Sequence, residues 1–288
     1  MEVDVLEFKV PVENSKTLFV WDIQPSHTED QVYVRLLGVF SSFGPLYLLK
    51  VSHSSAPNPP GFYALVKFYS AAQASKALRQ TDGRTLFQNS PLKVRLSSKQ
   101  APHFLSHSSR PLSHACCLEL ANHCLGFNGW TSDIITLKEL TNEEEEEEGG
   151  GGGGEENDEG GGRWRRLKFG CLLQLSFPHH GQTTRATAVV EDSFTCSGPD
   201  VLLQKRCRLQ KMVREKALIQ AFTKVLLILL EVLAADRPGH VCFLFWPHSG
   251  GMNFPLTSGQ RSRCPSFIRL KTRLFRKCYP DPSTHHLL

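Results

Sequence analysis

The sequence predicts an α+β protein built from two small domains. Residues 15–98 follow the order strand, helix, strand, strand, helix, strand, which forms a four-stranded antiparallel sheet with two helices on one face. Residues 113–235 show a helix, a tight turn, strands and a long helix, so we expect a second small α+β domain with a β-hairpin packed on a long helix. The remaining segments are a linker at 99–112, a disordered acidic and glycine-rich insert at 142–162, and a disordered basic tail at 236–288.

Length and charge both favour a protein that binds polyanions. The 288 residues, 40% of them apolar, are enough for two modest hydrophobic cores. The net charge of +5 understates the basic character, because ten of the 28 acidic residues lie in the insert and the rest of the chain carries +15. A surface this basic attracts nucleic acid through counterion release.

The elements of the first domain have recognisable start and stop signals. Thr28 is suited to cap the first helix, Val32, Leu36 and Phe40 recur at helical spacing, and Gly44 with Pro45 ends the helix. Turn residues separate the other elements. We expect strands at 17–23, 46–51, 63–68 and 91–96, and the second helix at 71–78.

One face of this sheet is expected to stay open, since both helices cover the other. Side chains alternate along a strand, so aromatic and cationic residues meet on the open face. Bases stack on rings while cations neutralise phosphates, as single-stranded nucleic acid requires. In the alternative interpretation, the same face docks a protein partner or is covered. The candidate binding residues of this domain are Phe19, Trp21, Tyr63, Leu65, Lys67, Lys93, Arg95 and Lys99.

Residues 15–98 resemble the RNA-recognition motif. The resemblance rests on Leu18–Ile23 as the first-strand signature and Tyr63–Phe68 as the third-strand signature. Gly61 and Phe62 stand where the family usually has a basic residue and glycine, and Leu65 replaces a stacking aromatic. The resemblance therefore implies weaker and less specific base stacking than a complete platform would give, at about 1 to 3 kcal/mol for each lost stack.

The segment from Leu120 to Trp130 is the most specific motif of the second domain. Leu118, Ala121 and Leu125 recur at helical spacing, Gly126 can close the helix, and Asn128 with Gly129 forms a tight turn. The two aromatic residues beside the turn have two interpretations. We expect Phe127 and Trp130 to be core anchors, and base-stacking platforms are the alternative.

A hairpin and a basic helix follow. Residues 167–177 and 183–190 are predicted strands, and a single helix is expected from 201 to 234. The apolar run at 225–230 is too short to span a membrane and is interpreted as buried helix. The first half of the helix is basic, which indicates either phosphate contacts or a solvated helix face. Its candidate binding residues are Lys205, Arg206, Arg208, Lys211 and Arg214.

The motif Leu-Ala-Asn-x-x-x-Gly-Phe-Asn-Gly-Trp resembles the annealing domain of the RAD52 type of recombination mediator, and the resemblance extends over residues 113–234. Joined to an RNA-recognition motif, it makes the chain resemble the RAD52 motif-containing protein family, with a C-terminal tail that we expect to be divergent. That resemblance implies binding of single-stranded DNA, duplex DNA and RNA in the DNA-damage response and recombination repair, and a location in nucleus, nucleolus and cytoplasm. Where the mediator has neighbouring basic residues for DNA, this chain has Thr223 and Lys224, and Leu227 stands where another basic residue is expected, so only Lys224 carries over.

The motifs of catalysis are missing from the sequence. It has no paired carboxylates, no nucleophile elbow and no phosphate-cradling loop between strand and helix, so we expect no enzyme and no cofactor. The nine cysteines lack zinc-site spacing, and we expect free thiols and no metal. We expect no membrane partner. Homo-oligomers and repair or ribonucleoprotein partners stay open, and the alternative function is a protein-protein adaptor that docks partners, or itself, through the sheet face and the basic helix.

Overall fold

The computed structural model describes residues 3–54, 61–98, 110–145, 163–231 and 241–247. Within these residues the elements are β1 Val3–Glu7, β2 Thr17–Ile23, α1 Glu29–Ser41, β3 Leu46–His53, β4 Phe62–Phe68, α2 Ala71–Thr81, β5 Lys93–Leu96, α3 His114–Leu125, β6 Thr131–Glu145, β7 Arg163–Phe177, β8 Gln182–Cys196, α4 Pro199–Phe222, β9 Val225–Glu231 and β10 Val241–Pro247.

The first domain is the predicted four-stranded antiparallel sheet, with strand order β3-β4-β2-β5. Leu18 and Val20 of β2 are fully buried together with Val32, Leu36 and Phe40 of α1, which confirms the predicted helix-covered face. The predicted cap is also present, since Thr28 and Gln31 form a capping box. The α+β fold of this domain is confirmed.

The second domain is built on a sheet of order β6-β7-β8, with α3 and α4 packed against its inner face. Burial alternates along β7, where every second residue from Leu167 to Phe177 is buried. Leu209 and Val213 of α4 complete this core. The predicted hairpin packed on a helix is confirmed, although the helix is shorter than expected, and β6 adds a third strand. No helix in the described part of the chain combines the length and apolarity needed to cross a membrane.

The N-terminal strand belongs to the core of the second domain. β1 pairs antiparallel with β9, which pairs on its other side with β10. Leu6 and Phe8 are buried in the second-domain core, where the Phe8 ring stacks on Phe222 at a centroid distance of 4.6 Å. Tyr69, which follows β4, is buried in the same core. Residues before and within the first domain therefore contribute side chains to the core of the second domain.

The expectation of a single long helix from 201 to 234 is wrong. α4 ends at Phe222, and the run interpreted as buried helix is the strand β9. Val225, Leu227 and Leu229 are buried while Leu226 and Ile228 are partly exposed, a period of two. A short apolar run carries too little periodicity to separate a buried strand from a buried helix, and pairing with strands on both sides decides for the strand.

Two expectations of disorder need correction. Residues 142–145, which by composition belong to the insert, continue β6 and pair with β7 as far as Glu145↔Trp164. Residues 241–247, which by composition belong to the tail, form β10. In both cases a partner strand supplies backbone hydrogen bonds that composition does not reveal. The remainder of the insert and of the tail, and linker residues 99–109, lie outside the described residues.

Candidate nucleic-acid interface

Three aromatic rings form a continuous platform on the open face of the first-domain sheet. Phe19 stacks on Trp21 at a centroid distance of 5.6 Å and an interplanar angle of 25°. The Tyr63 ring also lies 5.6 Å from that of Phe19, tilted by 38°. All three rings are partly exposed. The structure thus brings three of the predicted binding residues, Phe19, Trp21 and Tyr63, together on one face.

Arg95 supplies the cation of this platform. Its guanidinium carbon lies 5.4 Å from the Phe19 ring centroid and 5.1 Å from that of Trp21, distances at which a cation and a ring attract each other. The pairing of Phe19 with Arg95 and with Leu65 across neighbouring strands places these residues side by side. An exposed arginine over partly exposed rings can contact both a base and the adjacent phosphate.

Lys67 lies on the same sheet but is engaged within the protein. Its Nζ donates a hydrogen bond of 3.0 Å to the carbonyl oxygen of Pro11, and burial lowers its pKa from 10.5. The segment before β2 therefore covers this part of the sheet face. Of the other predicted cations in this domain, Lys93 is exposed and pairs with Asp22, while Lys99 lies outside the described residues.

The end of β2 is shaped by Gln88, a residue that the sequence does not single out. Gln88 is 8% exposed, and its Nε2 donates to the carbonyl oxygen of Asp22 at 2.9 Å and to Oγ of Ser90 at 2.8 Å. Its Oε1 accepts from the backbone N–H of Gln24 at 2.9 Å. A cavity of about 1110 Å³ opens beside this clamp and adjoins the platform. Nothing in the local sequence distinguishes Gln88 from a solvated loop residue.

Lys205 and Arg206 of the predicted basic patch make structural contacts. Lys205 Nζ donates to Oδ2 of Asp192 at 2.9 Å and lies 4.8 Å from the Phe194 ring centroid. Arg206 Nη2 donates to Oε1 of Glu139 at 3.1 Å. Both side chains tie α4 to the sheet and are only partly exposed, so their charges are largely balanced within the domain.

The cations left on the surface of α4 form a stripe. Arg208, Lys211 and Arg214 follow at spacings of three and are exposed, which places them on one helix face. Arg208 pairs with no carboxylate among the described residues. The ion pair of Lys211 with Glu215 is long, with 4.0 Å between Nζ and Oε1. We call these three residues the α4 stripe. Lys224 lies apart from it and donates to the carbonyl oxygen of Arg185 at 2.7 Å.

The specific motif of the second domain is a structural turn. Gly126 has φ 76°, and a Cβ on Gly129 would overlap the carbonyl oxygen of Leu125. Trp130 packs edge-on against Phe222 at 5.3 Å, so the prediction that it anchors the core is confirmed. The same prediction is wrong for Phe127, which is 84% exposed because the turn projects it into solvent.

The buried thiols of α3 are chemically quiet. Burial raises the pKa of Cys117 and of Cys124 to about 12, so both stay neutral at physiological pH. Among the residues that the structure describes, no three His, Cys, Asp or Glu side chains gather into a metal-binding group.

Comparison with known proteins identifies both domains. Residues 18–93 match the family model of the RNA recognition motif, and residues 112–226 match the model described as RDM1 DSRM domain. Both are nucleic-acid-binding domain types. The RRM3 domain of Mip6, 26% identical over 31% of this chain and 99% of that chain, aligns with a TM-score of 0.25.

Full-length relatives extend across both domains. RAD52 motif-containing protein 1 of Danio rerio is 52% identical over 231 residues, which cover 80% of this chain and 79% of the relative. The protein of the same name from Gallus gallus is 41% identical over 79% of this chain and 77% of its own length. That from Homo sapiens is 37% identical over 79% of this chain and 78% of its own length. With an RNA recognition motif, a DSRM domain and this identity over most of its length, the chain belongs to the RAD52 motif-containing protein 1 family.

Proposed function

We propose that this protein is a non-catalytic nucleic-acid-binding protein that holds unpaired strands on the open sheet of its first domain. The observation that carries the proposal is the platform of Phe19, Trp21 and Tyr63 with Arg95 above it. Successive bases stack on the rings, and the exposed guanidinium neutralises the backbone that connects them. Stacking requires unpaired bases, so single-stranded DNA and RNA are the preferred ligands and duplex DNA binds less tightly.

The second domain provides a contact to the sugar-phosphate backbone. The α4 stripe presents three exposed cations at helical spacing, while the neighbouring Lys205 and Arg206 hold the helix in place. Cations on a rigid helix neutralise phosphates without reading bases, which suits a domain that binds duplex nucleic acid by shape. The stripe increases affinity, and the platform supplies the preference for unpaired strands.

The biological setting in this proposal is the DNA-damage response and recombination repair. It is supported by the name that the relatives carry, which refers to a RAD52 motif. The proposed location is the nucleus and nucleolus, and also the cytoplasm, as expected from the resemblance described above.

The experiment is a titration of the full-length protein against fluorescent single-stranded DNA, duplex DNA and single-stranded RNA at several salt concentrations. Replacing Phe19 or Tyr63 by alanine is expected to weaken binding to unpaired strands by about 1 to 3 kcal/mol each. Tyr33→Ala is the matched control, because Tyr33 is an exposed aromatic on α1, away from the platform. Equal losses for all three variants, or none, would remove the platform from the mechanism.

A second candidate function is docking of a protein, including another copy of this chain, through Phe127. The turn leaves this ring 84% exposed, so the ring does not serve to fill the core. Sedimentation velocity of the wild-type protein and of Phe127→Ala tests self-association. A concentration-dependent dimer that Phe127→Ala dissociates would support docking, whereas monomers in both samples would count against self-association.

A further inference from the structure

A pocket at the end of β2 continues the aromatic platform and adds polar groups to it. Trp21 and Tyr63 belong to the platform and also line the pocket, whose lining includes the polar residues Asp22, Ser90 and Lys93. A base that stacks on the platform therefore has hydrogen-bonding groups within reach of its edge. The rings and the Arg95 guanidinium of the platform bind any base by stacking and its phosphate by charge, so they do not distinguish one base from another.

The backbone at Asp22 is held in a conformation that residues with a side chain rarely adopt. Its φ is 60°, and the pairing of β2 with β4 shifts register between Val20 and Ile23. The buried amide of Gln88 fixes this geometry by bonding to the carbonyl oxygen of Asp22 and the N–H of Gln24. Strain that is held in place by a buried side chain is common at ligand-binding sites, where it aims a functional group.

Only one oxygen of the Asp22 carboxylate has a partner among the described residues. Oδ2 of Asp22 pairs with Nζ of Lys93 at 2.6 Å, and both side chains are about half exposed, 48% for Asp22 and 56% for Lys93. Oδ1 has no partner among the described residues. An ionised carboxylate accepts several hydrogen bonds, and an ammonium group donates three. The pair therefore has acceptor and donor capacity left for one ligand edge.

We propose that this pocket binds one guanine base of an unpaired strand; the inference rests on the proposed function of the platform. Guanine presents two adjacent donors, N1–H and the N2 amino group, followed by the O6 acceptor. The carboxylate of Asp22 accepts from both donors, and the ammonium group of Lys93 donates to O6. The base stacks against Trp21 and stays connected to neighbours on the platform.

The other bases do not match this arrangement. Adenine and cytosine place a ring nitrogen acceptor beside their amino group, so one lone pair would face the carboxylate. Thymine and uracil carry a single donor between two carbonyl oxygens. An unmatched acceptor against a carboxylate is repulsive and leaves a desolvated group without a partner.

The test measures binding of the full-length protein to ten-nucleotide thymine strands that contain one central guanine, adenine, cytosine or inosine. A single guanine avoids the self-association of guanine runs. We expect the guanine strand to bind at least about five-fold more tightly than the adenine and cytosine strands, from the energy of one bidentate contact. Inosine lacks the N2 amino group and is expected to fall in between. Equal affinities for the four strands would overturn the inference.

Asp22→Asn tests the residue directly. Asparagine tolerates positive φ well, so the variant keeps the bulge. The ratio of guanine to adenine affinity is expected to fall to about one, while affinity for the plain thymine strand rises because a negative charge has been removed. Asp30→Asn on α1 removes the same charge away from the pocket and is expected to keep the guanine preference.

These outcomes distinguish the guanine pocket from the proposed function on which it rests. Strand binding without base preference in the wild-type protein, or an unchanged preference in Asp22→Asn, overturns the guanine pocket and leaves the platform standing. Absence of single-strand binding with every oligonucleotide overturns the proposed function itself.

Discussion

The indole Nε1 of Trp130 donates a hydrogen bond of 3.0 Å to Oδ1 of Asn122, eight residues earlier in the chain. This bond joins the last turns of α3 to the start of β6 and fixes the tilt of the indole against Phe222. It accounts for two positions of the motif that resembles the annealing domain. Asn122 and Trp130 hold the turn, and the exposed Phe127 is the aromatic residue that the turn leaves available.

Asn122→Ala is expected to lower the free energy of unfolding by about 1 to 3 kcal/mol, because the partly buried indole N–H loses its acceptor. Urea unfolding followed by circular dichroism measures the loss. Phe127→Ala is the control from the same turn, and it should change stability little since the ring is 84% exposed. Similar losses in both variants would show that the exposed ring is also structural.

Gly129→Ala is expected to cost about 1 to 3 kcal/mol, since its Cβ would overlap the backbone carbonyl oxygen of Leu125 and the turn must shift. Gly38 is a contrasting glycine inside α1, where a Cβ meets nothing within 4 Å. Gly38→Ala should stabilise the protein by roughly 0.5 to 1 kcal/mol, as alanine is the better helix former. Thermal unfolding of both variants checks the opposite signs.

The α4 stripe should determine the salt dependence of binding. Replacing Arg208, Lys211 and Arg214 together by glutamine is expected to flatten the slope of log affinity against log salt by about 2 to 3 units. Lys205→Met serves as the comparison, because this lysine is paired with Asp192 and should affect stability more than the slope. If Lys205→Met changed the slope and the triple variant did not, the phosphate contact would lie at Lys205 and not at the α4 stripe.

The buried thiols should resist alkylation in the native protein. Cys207 is exposed and is expected to react with iodoacetamide at pH 8, whereas Cys117 and Cys124, with pKa values raised to about 12, react only after unfolding. Mass spectrometry of the modified peptides distinguishes the sites. Early labelling of Cys117 would mean that α3 opens readily.

The same pKa shifts predict how stability depends on pH. Unfolded thiols ionise near pH 9.0, while the native thiols of Cys117 and Cys124 hold their protons up to about 12. The native state therefore binds more protons in this window, and the free energy of unfolding falls as the pH rises above 9. Cys124→Ala should weaken this dependence, which urea unfolding at pH 8 and pH 10 measures.

Phe8→Ala is expected to cost about 3 to 5 kcal/mol, because the ring is 1% exposed and stacks on Phe222. The loss should appear in the second domain although the residue precedes the first. The accessibility of Cys124 to iodoacetamide reports on that domain locally. A loss confined to the first-domain sheet would contradict the shared core.

The sequence predicted the first domain more completely than the second. Thr28, Gly44 and Pro45 mark helix ends by local chemistry, so the boundaries of α1 followed from a few residues. The role of β1 could not be predicted, because Leu6 and Phe8 meet their partners more than 200 residues later in the chain. The contacts of the cationic side chains were equally hard to predict. The hydrogen bond from Lys67 to Pro11, for example, depends on how the chain crosses the sheet.

The ends of the acidic insert are paired across neighbouring strands, with Glu145 opposite Trp164 and Glu144 in an ion pair with Arg165. Because these anchor points lie side by side, doubling the number of residues between them adds only about 0.6 kcal/mol of closure entropy. The position therefore tolerates changes of length that the rest of the sheet would not. A peptide tag or a fluorescent domain placed between these strands should report on the protein without disturbing the platform or α4.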